Sequence, residues 1–219
     1  MIIGLIPARS GSKRLKNKNI LNFSGKPLLE WTSIAAKKSI LKQTFLSTDD
    51  KRIAKIGEKI GLNVPFLRPK NISKNNTGMI KVLVHFVKWL EQNNYKPSAI
   101  VILQPTSPLR KYFHINQAIN LFKKNKPDSV VSVSDIPENF GLGKYMHQNN
   151  KGLLKEFNFK KGNLVIRNGP SIIVTNIKNI KNNNIYGKKI LSYKMNIKDS
   201  IDINDEFDFK IAEYIHSNL

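Results

Sequence analysis

Apolar residues follow two rhythms along this chain. Short continuous runs at 2–6 (IIGLI), 44–47 (TFLS), 99–103 (AIVIL) and from Ser129 (SVVSV) have the length and composition of strands buried on both faces. Between them the apolar positions recur every three or four residues. Leu28, Trp31, Ala35 and Ser39 share one helical face after Gly25-Lys26-Pro27, where the proline suits a first turn. Ile80, Leu83, Val84, Val87 and Leu90 do the same within TGMIKVLVHFVKWLEQNN. DDKRIAKIGEKIG reads as a helix capped by Asp49 or Asp50 and stopped at Gly61; NVPFL reads as a short strand, and INQAINLFKK as a further helix. Strands alternating with helices at this rhythm predict an α/β fold built on a doubly wound, mostly parallel sheet.

The rhythm breaks between about residues 135 and 189. Glycine, lysine and asparagine dominate there, and the strand-like pieces NLVIR and PSIIVTN are separated by polar turns. This stretch reads as a β-rich excursion embedded in a single domain spanning 1–219. Order returns with KILSYKM and a last helix in which Phe207, Ile211 and Ile215 repeat at helical spacing, the pattern of a docking face. There is no internal repeat of fixed period.

Composition narrows the classes. At 219 residues and 40% hydrophobic the chain can build a sizeable core, and no apolar run approaches the ~18 residues of a membrane span. The first residues run from a strand pattern straight into a basic loop without a secretory signal, so a cytoplasmic protein is expected. With no cysteine and four scattered histidines, a disulfide framework, a cysteine-rich zinc site and a histidine metal cluster all drop out. The net charge of +22 has three readings: nucleic-acid binding, a polyanionic small substrate, or the lysine- and asparagine-rich composition of an AT-rich genome. The total separates these poorly; the placement of the charge says more.

PARSGSKRLKNKN, residues 7–19, follows the first strand directly and carries Arg9, Lys13, Arg14, Lys16 and Lys18 with no acidic residue. In a doubly wound sheet, ligands bind beyond the carboxyl ends of the strands. Gly11 and its small neighbours permit close approach of backbone to ligand, and amides at a helix start favour anions. The loop matches neither the Walker pattern nor GxGxxG, so it is either a phosphate loop of another kind or a solvated basic turn.

PARSGSKRLKNKN resembles the PARxGSKxxxxKN signature of the acylneuraminate cytidylyltransferases, the CMP-sialic acid synthetase family. STDD at 47–50, PFLRP at 65–69, LQPTSPLR at 103–110, RNG at 167–169 and DIN at 202–204 continue the likeness in the same order along nearly the whole chain. The resemblance implies a Rossmann-like sheet of the nucleotidyltransferase type. It also implies transfer of CMP from CTP to the anomeric hydroxyl of an acidic keto-sugar, with pyrophosphate released and Mg2+ as cofactor. A triphosphate carries about four negative charges, and its chemistry rests on positioning and charge stabilisation. By family position Arg9, Ser12, Lys18 and Asn19 resemble nucleotide contacts, with Lys13 a further candidate and Arg14 and Lys16 solvated. Arg9 and Lys18, with Asp202, resemble the catalytic set. Arg68 of PFLRP, with Asn76 and Thr77 of SKNNT, resembles the base-recognising region, although SKNNT lacks the aspartate usual there.

The family's DID motif, whose two aspartates hold magnesium, reads Asp202-Ile203-Asn204 here, so the metal set is Asp202 plus a neutral Asn204. Helping to deprotonate the attacking hydroxyl is a second role for Asp202. Asp205, with Asp208 three residues on, reads as a helix cap. Gln104 and Arg167 resemble sugar contacts, Arg167 facing the carboxylate, although RNGPS departs from the family's NGA followed by an aromatic. Asp49 and Asp50 read as caps at the cleft rim, and Trp31 and Trp89 as core. The excursion corresponds to the family's dimerisation element, implying a homodimer with Tyr145, Phe157 and Phe159 as interface aromatics or a local cluster. A CMP-Kdo synthetase-like enzyme and a catalytically weakened binding protein are the rival readings. Nucleic-acid binding is disfavoured, since the loop has no interleaved aromatic and no long basic helix is present.

Overall fold

The computed structural model describes residues 1–141, 144–156, 164–167 and 171–218. Its continuous apolar runs become the parallel part of one sheet. β1 (Ile2–Pro7) pairs in parallel with β4 (Thr44–Ser47) on one side and β5 (Ala99–Ile102) on the other. Beyond β5 lies β10 (Ile173–Asn176), antiparallel to its neighbours, then β6 (Ser129–Asp135) and β11 (Ile190–Lys194), the last two parallel to each other. The order is therefore β11-β6-β10-β5-β1-β4, with β9 (Val165–Ile166) pairing antiparallel with the end of β6. This is the doubly wound, mostly parallel sheet that the sequence predicts.

Both faces of β1 are covered. Ile3 and Leu5 pack with Leu83, Phe86 and Leu90 of α3 (Met79–Gln92) and with Ile180 of α5 (Ile177–Lys181). Ile6 points to the other side, where α1 (Leu28–Lys38) and α4 (Tyr112–Asn125) contribute Leu29, Ala36, Ile115 and Ile119. Each such buried side chain is worth about 1.5–3 kcal/mol relative to exposure. α2 (Lys51–Lys59) closes on β4 at Gly57, where a Cβ would stand 2.3 Å from Leu46 Cδ2. No helix among the described residues is long and apolar enough to cross a membrane.

Several local expectations are corrected. NVPFL forms no strand. Asn63 and Leu67 make only isolated bridges to Phe45 and Thr48, and Pro65 between them has no N–H to continue a ladder. Pro27 stands at the N-cap of α1 and pairs with β2 (Asn22–Phe23) as part of β3 (Lys26–Pro27), so the helix begins one residue later. PSIIVTN, expected within the excursion, supplies β10 at the middle of the sheet, because its apolar residues fit a slot covered on both faces. What stands off the sheet among the described residues is 136–141 and 144–156, including the small pair β7 (Met146–Gln148) and β8 (Leu154–Glu156).

The last helix, α6 (Glu206–Ser217), docks through Phe209, Ala212 and Ile215 onto Phe23, Leu28, Leu109 and Ile203. Phe207 and Ile211 of the expected docking stripe face solvent instead, Phe207 at 73% exposure. Asp205 caps the helix by accepting a hydrogen bond from Asp208 N, and packing of Phe209, Ala212 and Ile215 turns Phe207 and Ile211 outward.

Candidate active site

In an α/β sheet the ligand crevice opens where successive strands depart to opposite sides of a central strand. Here that point is at the carboxyl ends of β1 and β5, since the chain goes from β1 to β4 on one side and then to β5 on the other. A cleft of about 220 Å³ opens there. Its wall comes from Pro7, Arg9, Ser12, Lys18 and Asn19 after β1, Arg68, Lys74 and Thr77 from the segment before α3, and Gln104–Thr106 after β5. No Asp or Glu is among the described residues lining it. A larger depression of about 750 Å³ lies at the opposite end of the strands, around Met1, Ile40, Ser98 and Pro127, and none of the motif residues borders it.

The basic loop is held in shape from three sides. Ser10 donates its N–H and Oγ–H to the two carboxylate oxygens of Asp49, at 2.8 and 2.6 Å. Asn19, buried, donates to the carbonyl of Arg9 at 2.9 Å. Arg9 folds over the loop, its Nη1 donating to the carbonyls of Ser10 and Gly11 at 3.2 and 3.0 Å. Gly11 sits at φ +68°, in the left-handed region where a side chain strains the backbone. The cap expectation for the acidic pair thus resolves: Asp50 caps α2 by accepting from Arg52 N and Ile53 N, while Asp49 anchors the loop. That anchoring role was not legible in STDD.

Asp49 also faces Arg68, 3.8 Å from its Nη2. Arg68 is only 4% exposed; Nε donates to Ser73 Oγ at 3.2 Å, and Nη2 has no hydrogen-bond acceptor. Burial lowers the Arg68 pKa against the opposing attraction of Asp49. A buried guanidinium with an unengaged nitrogen in a cleft wall is suited to an anionic ligand.

The chain's two ends meet at Ile203. Lys18 Nζ donates to the Ile203 carbonyl at 2.6 Å, and Ile203 N donates to the Thr106 carbonyl at 2.8 Å. Its side chain is fully buried under α6. Asp202 and Asn204 flank this pinned residue and adjoin the cleft through Lys18 and Thr106 rather than lining it directly. Burial lowers the Lys18 pKa, while Asp202 pulls it upward and Arg14 and Arg9 push it further down.

Asp202 Oδ1 is buried without a hydrogen-bond partner, whereas Oδ2 accepts from Asn204 Nδ2 at 3.1 Å. An orphaned buried carboxylate oxygen fits a hard cation. Asn204 turns its amide N–H₂ toward Asp202 in this arrangement, so the carboxylate is the principal donor to a metal. Among the described residues no group of three or more His, Asp or Glu gathers as a metal cage, so a cation held by Asp202 would need water and substrate oxygens to complete its coordination.

Gln104 lines the cleft behind β5. Its carbonyl is held by Arg110 Nη1 at 3.2 Å, and the same nitrogen donates to the Ser171 carbonyl at 2.6 Å; Nη2 donates to Thr32 Oγ1 at 2.7 Å. Arg110 is fully buried with no acidic partner among the described residues, and burial lowers its pKa to about 9, which leaves it charged at neutral pH. Three of the expected residues stand apart. Lys13 and Asn76 are exposed outside the cleft wall, and Arg167 packs over the Tyr186 ring at 5.8 Å while donating to its hydroxyl. Asn168, Gly169, Pro170, Phe157 and Phe159 lie outside the described residues.

A cation-lined cleft at the switch point of a doubly wound sheet is the architecture of nucleotide-binding α/β proteins. The family model described as cytidylyltransferase matches residues 3–168, and the chain belongs to that family. It is 31% identical to a CMP-N,N'-diacetyllegionaminic acid synthase of Legionella pneumophila, over 97% of this chain and 94% of that one. It is 30% identical to an N-acylneuraminate cytidylyltransferase of Escherichia coli over 96% of this chain, which spans about half (51%) of that longer protein. Among solved structures, a CMP:2-keto-3-deoxy-manno-octonic acid synthetase complexed with CTP shares the fold, with a TM-score of 0.71 at 12% identity, covering 99% of this chain and 98% of the other.

Proposed function

We propose that this chain transfers CMP from CTP to the anomeric C2 hydroxyl of a sialic-acid-like nonulosonic acid and releases pyrophosphate. The observation that carries the reading is the Lys18–Ile203 hydrogen bond, which brings a loop suited to a triphosphate against a carboxylate suited to a cation. The names of the Legionella and E. coli relatives point to the same chemistry. The sugar hydroxyl oxygen attacks the α-phosphorus in line while Asp202 helps to take its proton, the bond to the bridging oxygen breaks, and pyrophosphate leaves with the electron pair. Arg9, Lys18 and Arg68 offset the charge on the phosphates, and Ser12 and Asn19 add neutral hydrogen-bonding groups. Arg9 and Arg68 present planar forks, whereas Lys18 acts as a point charge. Thr77 faces the nucleotide from the segment before α3.

A divalent cation, Mg2+ in this reading, would be held by Asp202 with Asn204 beside it and would neutralise phosphate charge. Gln104, in the cleft wall, orients the sugar's hydroxyls. Exposed apolar side chains in the stretch outside the sheet, including Phe140, Met146, Leu153 and Leu154, support burial of that surface against a second copy, a homodimer.

The direct test is pyrophosphate release from CTP across a panel of sialic, legionaminic, pseudaminic and Kdo-type acids. Turnover with a nine-carbon acid is expected. Turnover with the Kdo-type acid alone, or with none of the panel, would overturn the assignment. Light scattering on the wild type and on Leu153→Glu/Leu154→Glu tests the dimer, which the variant is expected to dissociate.

A further inference from the structure

The four cations in the cleft wall differ in what engages them. Arg9 rests on the Ser10 and Gly11 carbonyls, Lys18 donates to the Ile203 carbonyl at 2.6 Å, and Arg68 faces Asp49 at 3.8 Å. The side chain of Lys74 has no hydrogen bond or ion pair among the described residues. Its backbone is nevertheless well held. The preceding Ser73 accepts from the buried Arg68 at 3.2 Å and donates to the Pro69 carbonyl at 2.9 Å, and Thr77 N closes the turn on the Lys74 carbonyl at 3.1 Å. A charged group fixed at the base, unengaged at its tip and facing a cleft with no lining carboxylate is placed for an anionic ligand.

We propose that Lys74 is a phosphate-contacting residue of the nucleotide site. The inference rests on the reading that this cleft takes CTP. A lysine offers three donors and no acceptor, so it matches phosphate oxygens and cannot accept from an exocyclic amino group. Lys70 provides the control: it lies one turn earlier on the same segment, is exposed, and is outside the cleft wall.

The experiment is CTP affinity by titration calorimetry, at low and high salt, for wild type, Lys74→Ala, Lys74→Arg and Lys70→Ala. Lys74→Ala is expected to weaken CTP binding roughly tenfold at low salt, with a smaller loss at high salt; Lys74→Arg should recover most of it and Lys70→Ala should match wild type. Unchanged affinity in Lys74→Ala, an equal loss in Lys70→Ala, or a loss that neither arginine nor salt reduces would overturn the assignment of Lys74 alone. A wild type that binds no CTP would instead remove the nucleotide reading beneath it.

Discussion

Lys18 Nζ lies 2.6 Å from the carbonyl oxygen of Ile203, a residue 185 positions further along the chain. Because Ile203 is also bonded through its N–H to Thr106 and buried by its side chain, Asp202 is carried on a rigid support rather than on a mobile loop. Replacing its charge should therefore damage chemistry more than folding. Asp202→Asn is expected to lower turnover at least about hundredfold with a change in unfolding free energy below about 1 kcal/mol. Steady-state rates beside urea melts check this, and full activity in the variant would remove the metal assignment.

Asn204 gives a second handle on the same pair. Asn204→Asp loses the amide donated to Asp202 and sets two carboxylates side by side. Without divalent metal the variant should be less stable than wild type by about 1 kcal/mol, and magnesium should reverse the difference. Thermal melts with and without magnesium read it directly; a metal-independent difference counts against the site.

The loop anchor predicts a kinetic signature. Asp49→Ala leaves Ser10 without either acceptor and Arg68 without the carboxylate that faces it. The KM for CTP should rise by about tenfold or more while the KM for the sugar stays close to wild type. Equal rises in both would mean that Asp49 supports the fold at large and not the nucleotide loop.

Arg110 holds three segments together by donated hydrogen bonds from a fully buried position. Arg110→Met should cost about 3 kcal/mol of stability, because the Ser171 carbonyl and the Thr32 hydroxyl lose a charged donor. Denaturant melts decide the matter, and a loss below about 1 kcal/mol would show that the pocket relaxes around the change.

Acid sensitivity follows from His114. Burial lowers its pKa below the ordinary 6.5, Lys111 and Arg110 act in the same direction, and Asp199 opposes them. Its Nδ1 accepts from Lys111 N at 3.1 Å, so the fold suits the neutral ring. Between the lowered native pKa and the ordinary one, the unfolded chain binds more protons. Stability therefore rises with pH through that window and is lost as pH falls through it. Melts between about pH 7 and pH 5 should show a smaller slope for His114→Gln than for wild type. His85, lowered by burial and by Arg68, accounts for part of what remains. Identical slopes would rule His114 out as a source of the acid sensitivity.

The sheet was legible because its strands are apolar runs buried on both faces and its helices carry clear amphipathic spacing. The motifs likewise placed Arg9, Lys18, Arg68 and Gln104 in one region, since Arg9, Lys18 and Gln104 follow strands and Arg68 is tied beside the end of β4 by its N–H to the Thr48 carbonyl. What escaped was long-range pairing. Nothing local marks Asp49 as the partner of Ser10, or Arg110 as the bridge between Gln104 and Ser171, because both contacts depend on how distant segments stack. PSIIVTN was misplaced for the same reason: strand character is local, but antiparallel insertion between β5 and β6 is decided by the assembled sheet. Phe207 and Ile211 had the spacing of a docking face but not the phase, which Phe209, Ala212 and Ile215 take up against the core.

β6 and β10 lie side by side and antiparallel, with Ser132 N donating to the Ile172 carbonyl at 2.9 Å. The described residues between β6 and β10 thus belong to one connection that starts and ends on adjacent antiparallel strands and touches the sheet again at β9. Its length between β6 and β9 can change without altering the register of the strands that carry the cleft. The surface read here as meeting the second subunit is in this sense a detachable module, while the nucleotide-facing half is built into the sheet.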